Sequence, residues 1–439
     1  MKKTLLFLVA ILSFAYSQAV PGSWGREWGT DSLLYELSPK FMQRGARVQG
    51  WIATDQYIQQ GQLKYQVMTD SVKQEKFAIL NEADTALKGD VTIPQFIHTE
   101  NGKEYEVRGL GLYAFYLGHV TKVTLPESVE YIGDGAFFRC YPLLKLNIPE
   151  KVHTIGNWAF AFTGINAIRL PENLVSFGEL VPERLEDCFY LYRFLKYLYI
   201  GANIKEIRAK NNKKEVAGYG YYMLWQNCPL LEAIEVSPRN EIYGSINGVL
   251  VTKKDMAFRW YPQGKRDPVY QMPDDIKKID LAFEDPYAIM IKNDHVQVFQ
   301  FSNNIDSLKD FFVFDKCENL RTIILPSKLK YLYSIAPSYS RVTIDGVLRS
   351  WHQPCLQTVY AQNPIPSEYD PTKDTEDSYG RPFGAATLMV PKGSKDVYMA
   401  HPVWSKVFKE IKEYDEIDYS VDLSSNNDLM QETDKAEIR

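Results

Sequence analysis

The side chains with chemical potential in this 439-residue chain are five cysteines, six histidines and 55 carboxylates. Cys140, Cys228 and Cys317 each stand three residues after an aromatic, namely Phe137, Trp225 and Phe314. That shared spacing sets them at one position of a repeated unit. In non-neighbouring layers of a stack they exceed the ~7 Å Cα separation a disulfide can bridge, so they read as small buried apolar residues. Cys188 and Cys228 fall in adjacent units and could pair, with separate buried thiols as the alternative. The histidines at 98, 119, 153, 295, 352 and 401 are scattered, and no H-E-x-x-H, G-x-S-x-G or Walker A pattern occurs. Asp370, Asp374 and Asp377 share one polar stretch and could offer oxygens to calcium, although a solvated acidic loop accounts for them better. Glycoside hydrolysis needs a placed carboxylate pair, and nothing here nominates one. No catalytic residue, cofactor or metal is assigned.

The order in the chain lies elsewhere. In Val120–Thr163, Pro126 recurs as Pro149, Val129 as Val152, Ile132-Gly133 as Ile155-Gly156 and Ala136-Phe137 as Ala159-Phe160, always 23 residues on. A fixed period of this length is the mark of a stacked solenoid. A single repeat supplies roughly seven apolar side chains at about 1.5–3 kcal/mol each, against about 1–2 kcal/mol for every backbone it orders. It can fold only by sharing its core with neighbours at about 4.8 Å per strand. The Gly after Ile suits a turn with φ > 0, and the Pro after the strand suits its termination.

The short strand core recurs through about eleven segments, from Val91-Thr-Ile93 to Leu388-Met-Val390. Inserts interrupt most units. Asn101-Gly102 predicts a hairpin whose two turn positions both need φ > 0, Thr252–Asp255 predicts another within Tyr243–Tyr261, and Glu206–Tyr222 and Glu368–Pro382 read as polar loops.

Strand side chains alternate, so the residue between the two core positions of each strand faces outward. Stacked, these residues form a ladder along a concave sheet: Thr92, Thr124, Asn147, Arg169, Tyr199, Glu235, Gln271, Gln300, Ile324, Tyr360 and Met389, with Tyr197 beside them. Thr124, Asn147, Arg169, Tyr197, Tyr199, Glu235, Gln271, Gln300 and Tyr360 are the candidate ligand-binding residues. Tyr and Arg give large contact areas at modest entropic cost, whereas an ordinary solvated sheet face is the plainer alternative.

Net charge is −5, with acidic and basic residues interspersed, which gives no reason to expect nucleic acid or an anionic membrane as partner. Lys2 and Lys3, the apolar Leu5–Phe14 and the small Ser17 and Ala19 read as an export signal, too short to span a bilayer. The expected organisation is a signal peptide at 1–19, an N-terminal extension at 20–50 and a capping hairpin at 51–90. A solenoid at 91–391, a closing helical segment at 392–414 and a flexible acidic tail at 415–439 follow. With no cysteine at the cleavage site, a lipid anchor is not expected. The location is extracellular, cell-surface or periplasmic, and the protein is not expected to be an integral membrane protein. The sequence does not set its oligomeric state.

The pattern I-P-x-x-V-x-x-I-G-x-x-A-F-x-x-C-x-x-L resembles that of the BspA-like leucine-rich-repeat surface proteins of Bacteroides-type bacteria. So do GDVTIP followed by NGKEYEV, the SINGVLV…WYPQGK hairpin, and the ending LMVPKGSKDVYMAHPVWSKVFKEI. The resemblance covers about residues 55–414. It implies an α/β-type but mostly β leucine-rich-repeat solenoid, a right-handed superhelix of about eleven short parallel strands with an irregular or short-helical convex side and inserted β-hairpins. It implies a non-enzymatic role in adhesion, with a host matrix or bacterial surface protein bound at the concave face. A glycan ligand is the alternative, and a hydrolase site in an insert the opposing class.

Overall fold

The computed structural model describes residues 45–46, 48–156, 158–177, 194–205, 228–279, 291, 293–308, 314, 317, 319–332, 341–344, 347–350, 356–369 and 386–421. The export signal, Cys188, the 206–222 loop and the acidic 370–382 stretch lie outside them.

Trp51–Gln60, Leu63–Asp70 and Glu75–Ala83 form an antiparallel meander, and the last of these pairs in parallel with Glu104–Leu110. Tyr65 and Val67 share one face with Ala78 and Leu80, and Phe77 and Ile79 share the other with Met68; all seven are buried, so the two inner strands are covered on both faces instead of the one that alternation predicts. The meander thereby closes the end of the stack, which would otherwise expose apolar interior. Phe96–His98 pairs antiparallel with Glu104–Leu110. Of the two turn residues only Gly102 takes a positive φ, 77°.

Beyond the meander the chain winds in layers, and the outward strands pair layer to layer in parallel. Lys88–Thr92, His119–Thr124 and Lys145–Leu146 make one sheet, and Ala167–Arg169, Tyr197–Ile200 and Ala233–Val236 a second. Val269–Gln271, Val298–Gln300, Thr322–Ile324, Thr358–Tyr360, Thr387–Pro391 and Glu410–Tyr414 make a third. The 23-residue beat is literal here: Lys122 stands opposite Lys145 and Val123 opposite Leu146.

A second ladder, which the repeat pattern does not reveal, runs across the core. Glu104–Leu110, Tyr131–Ile132, Thr154–Ile155 and Ser176–Phe177 pair in parallel, as do Ser307–Leu308, Tyr331–Leu332 and Glu368–Tyr369. These strands are two residues long at most of their steps, too brief for alternation to signal them.

Among the described residues, the Ala-Phe turn closes three successive layers. Phe115, Phe137 and Phe160 are fully buried and stack with centroids 5.0 and 5.9 Å apart. Flanking them, Tyr113, Gly135 and Trp158 take φ of 54°, 58° and 53°, and Leu117, Arg139 and Phe162 take 56°, 62° and 59°. Left-handed residues thus recur twice per layer, mostly on residues that disfavour that region. The layers compensate through backbone bonds: Phe115 N–H donates to Ala136 O, Phe137 N–H to Ala159 O and Arg139 N–H to Ala161 O.

This placement corrects the role expected for the glycine after Ile. Gly133 and Gly156 do not adopt positive φ; the left-handed positions fall two residues later. Instead, a Cβ on Gly133 would lie 2.7 Å from the carbonyl carbon of Gly111 in the layer below, so it is close stacking that excludes a side chain.

The insert at Tyr243–Trp260 holds three antiparallel strands, Tyr243–Ile246, Val249–Thr252 and Ala257–Trp260. Its first turn, Asn247-Gly248, takes positive φ at both positions (53° and 77°). After the last repeat, helices Lys395–Ala400 and Trp404–Val407 pack Tyr398 and Trp404 into the core. Glu410–Tyr414 is not helical: it adds a final parallel strand to Thr387–Pro391.

Candidate functional site

The outward residues occupy registered positions on three sheets rather than one unbroken ladder. Lys145–Leu146 is only two residues long, and the Asn147 side chain continues it. Leu125 N–H donates to Asn147 Oδ1 (2.8 Å), and Asn147 Nδ2 donates to Leu125 O (3.0 Å). Asn147 therefore completes backbone pairing with its amide, a structural duty, while Thr124 beside it is half-buried.

Arg169, Tyr199 and Glu235 stand directly opposite one another on successive strands. The Arg169 guanidinium lies 3.8 Å from the centroid of the Tyr199 ring, and Tyr199 donates a 2.7 Å hydrogen bond to Glu172 Oε1. Glu172 also receives the Ala202 N–H at 2.8 Å, with Arg169 and Arg239 at 3.6 and 3.5 Å. Its side chain is only 13% exposed. Burial pushes its carboxyl upward, but the hydrogen bonds from Tyr199, Ser237 and Ala202 and the charge of Arg239 outweigh this and hold it below the usual range. Next to this cluster, Tyr197 donates to Glu232 Oε2 (3.0 Å), whose other oxygen lies 3.5 Å from Arg266 Nε. Two carboxylates thus tie Tyr and Arg side chains of adjacent layers into a fixed surface, with Glu235 exposed at its border.

The third sheet differs. Gln271 is exposed and Gln300 half-buried, but Tyr360 is only 5% exposed. With Val298 and Ile324 it forms an apolar cluster, against which Val269, Met389, Tyr414, Ile417, Tyr419 and Val421 pack. Tyr360 was expected to face a ligand; residues of this chain's own C-terminal stretch cover it instead. Asp418 N–H donates to Tyr360 Oη (3.2 Å), and Tyr419 Oη donates to Gln300 Oε1 (2.7 Å). Strand sequence carried a warning: VQVFQFS and TIIL are apolar on both faces, as strands covered on both sides are.

Cys140, Cys228 and Cys317 are buried thiols. Burial raises the thiols of Cys140 and Cys228 to about 12, and Cys140 Sγ donates to Phe115 O at 2.8 Å, which gives them packing roles. Among the described residues no cluster of His, Cys, Asp or Glu is arranged to hold a metal ion. Nor is any helix among them long and apolar enough to cross a membrane.

A family model described as BspA type leucine rich repeat region matches residues 108–214 and 289–344, in six copies. No curated protein matches the chain. Among solved structures, the pneumococcal vaccine antigen PcpA is 17% identical, over 78% of this chain and 95% of that one, with a TM-score of 0.37. A leucine-rich-repeat protein from Bacteroides capillosus is 22% identical, over 41% and 98%, with a TM-score of 0.27. A leucine rich cell surface protein from Faecalibacterium prausnitzii is 17% identical, over 82% and 95%, with a TM-score of 0.33. The layered parallel strands, the recurring Ala-Phe turn and the matched repeats together give the chain a β-rich leucine-rich-repeat solenoid fold, whose matched stretches are similar to the BspA type of repeat.

Proposed function

We propose that this chain is an exported surface protein that binds a protein partner through the outward face around Arg169, Tyr197, Tyr199 and Glu235. The single observation that carries this reading is the Arg169–Tyr199–Glu172 cluster. It presents a Tyr fixed by its hydrogen bond to Glu172 and an Arg held over that ring and beside the same carboxylate, so less side-chain entropy remains to be lost on binding. Such pre-organised Tyr and Arg residues suit a protein interface. Sugar stacking needs an open aromatic face, and Arg169 occupies one face of Tyr199, which favours protein over glycan. Binding, not catalysis, is the activity this arrangement serves. Adhesion to a host matrix or bacterial surface protein is the form it takes.

The test is an array of matrix proteins, bacterial surface proteins and glycans probed with the mature chain and with Arg169→Ala. A protein spot that the variant loses supports the reading. Retention of every spot by the variant, or binding confined to glycans, overturns it.

A further inference from the structure

The outward faces of Val298–Gln300, Thr322–Ile324 and Thr358–Tyr360 carry an apolar cluster of Val298, Ile324 and Tyr360 where the earlier sheets are polar, and Ile417, Tyr419 and Val421 pack against it. That segment alternates: Ile417, Tyr419 and Val421 are half-buried against the sheet, while Glu416, Asp418 and Ser420 are exposed. Its direction follows from its contacts. Tyr414 belongs to the last strand and meets the Tyr360 ring at 5.1 Å, yet five residues later Tyr419 reaches Gln300, four strand steps away. Four steps are about 19 Å, and five residues at full extension span about 17 Å, so only an extended chain with an outstretched Tyr side chain makes the crossing. Two polar anchors set its position: Tyr360 Oη accepts the Asp418 N–H, and Gln300 Oε1 accepts the Tyr419 hydroxyl. No β-ladder ties the segment to the sheet. Its half-buried side chains and exposed intervening backbone place it at the easily opened end of the stability range.

We infer that this apolar face is a second docking track, specific for an extended peptide with apolar side chains at alternate positions and a central Tyr. Residues 415–421 are its resident, displaceable occupant. The partner is a protein segment of that pattern, and its acidic character follows the occupant's own, whose Asp415 meets Lys392 at 3.1 Å. This inference rests on the reading of the chain as a protein-binding solenoid but uses a different sheet. The occupant competes at high effective concentration because it is tethered, so the face opens only to a partner that outcompetes it or to a change that frees the segment.

Two measurements on the full chain test it. Hydrogen exchange should show the Asp418 amide exchanging at least 100-fold faster than those of Ile323 and Val359. Equal protection would make the segment a permanent part of the core and overturn the inference. The second uses a synthetic peptide of residues 413–421 with p-benzoylphenylalanine in place of Tyr419, photo-cross-linked to the unmodified chain and to the I417D/Y419D/V421D variant. Cross-links to Val298–Tyr360 should form in the variant at ten or more times the unmodified yield. Equal yields, or none on those strands, overturn it. Should the triple variant lose core protection, Tyr419→Ala supplies the same comparison. A Tyr419-dependent dimer in sedimentation would mean the segment exchanges between copies, and would also overturn the partner-peptide assignment. Arg169→Ala in the unmodified chain should not change cross-linking, which separates failure here from failure of the first binding face.

Discussion

Arg169 stacks on Tyr199 from the neighbouring strand, 3.8 Å from guanidinium to ring centroid, and both reach Glu172. The stack sits on the outward face, with the Arg169 side chain 46% exposed. Its ion pairs are therefore solvent-screened and add little to folding. Arg169→Ala should change unfolding free energy by less than about 1 kcal/mol, while weakening partner binding tenfold or more. A titration of the partner beside a denaturant melt checks both halves; a large stability loss with unchanged affinity would make the cluster structural.

Phe137 lies fully buried between Phe115 and Phe160. Phe137→Ala removes a ring from the middle of the stack, and transfer plus cavity terms give about 3–5 kcal/mol. Chemical denaturation would measure it, and a loss below about 1 kcal/mol would contradict the stacking described.

Two glycines separate conformational need from steric need. Gly102 has φ 77° and open space around its Cβ position, so Gly102→Ala should cost about 1–2 kcal/mol from backbone strain alone. Gly133 has no positive φ, but a Cβ there would meet the Gly111 backbone at 2.7 Å. Gly133→Ala should cost more than Gly102→Ala because two layers must separate. Melting the two variants side by side gives the order, and the reverse order would refute the close-stacking role.

His153 and His295 are half-buried, and burial lowers the basicity of each imidazole. Glu130 pulls His153 the other way without reversing the shift. Because their folded pKa values lie below the unfolded value of about 6.5, the unfolded chain takes up protons first as pH falls. Their contribution is therefore fully present above pH ~6.5 and is lost progressively below it. Melts at pH 7.5 and 5.5 should show lower stability at the acidic value, and His153→Gln should reduce the difference. An identical pH dependence in the variant would exclude His153 as a source.

Much of the fold was legible because one residue type recurred at one place. Pro126 and Pro149, and Phe137 and Phe160, fixed the period, and the period fixed strand register through Lys122 and Lys145. Ser176–Phe177 and its partners were not legible, since a two-residue strand leaves no periodic trace. Left-handed Tyr113, Trp158, Leu117 and Phe162 were hidden for the opposite reason: their types argue against that conformation, which at Tyr113 and Leu117 is accompanied by interlayer bonds to Asp134 O and Phe138 O. Asn247-Gly248 carried a hairpin signal as strong as Asn101-Gly102, and it marks the first turn of the three-stranded insert. For the surface, alternation identified Arg169, Tyr199 and Glu235 correctly as facing out. It also identified Tyr360 as facing out of the core, but could not show what lies on top. Burial by a segment distant in sequence is a tertiary fact, foreshadowed only by the apolar outer positions Val298 and Ile324 and the I-x-Y-x-V spacing of 417–421.

Residues 414–421 cross the layers instead of running along them, so this segment gauges how many turns lie beneath it. One turn advances about 4.8 Å and one extended residue about 3.4 Å, so a duplicated turn between Val298 and Glu410 would displace the overlying chain by about 1.4 residues. That offset is not a multiple of two, so Ile417 and Tyr419 would roll towards solvent while Glu416 and Asp418 turned onto the apolar face. Repeat arrays ordinarily lengthen or shorten by whole units at little cost. In this stretch they cannot do so unless the C-terminal segment changes length in step.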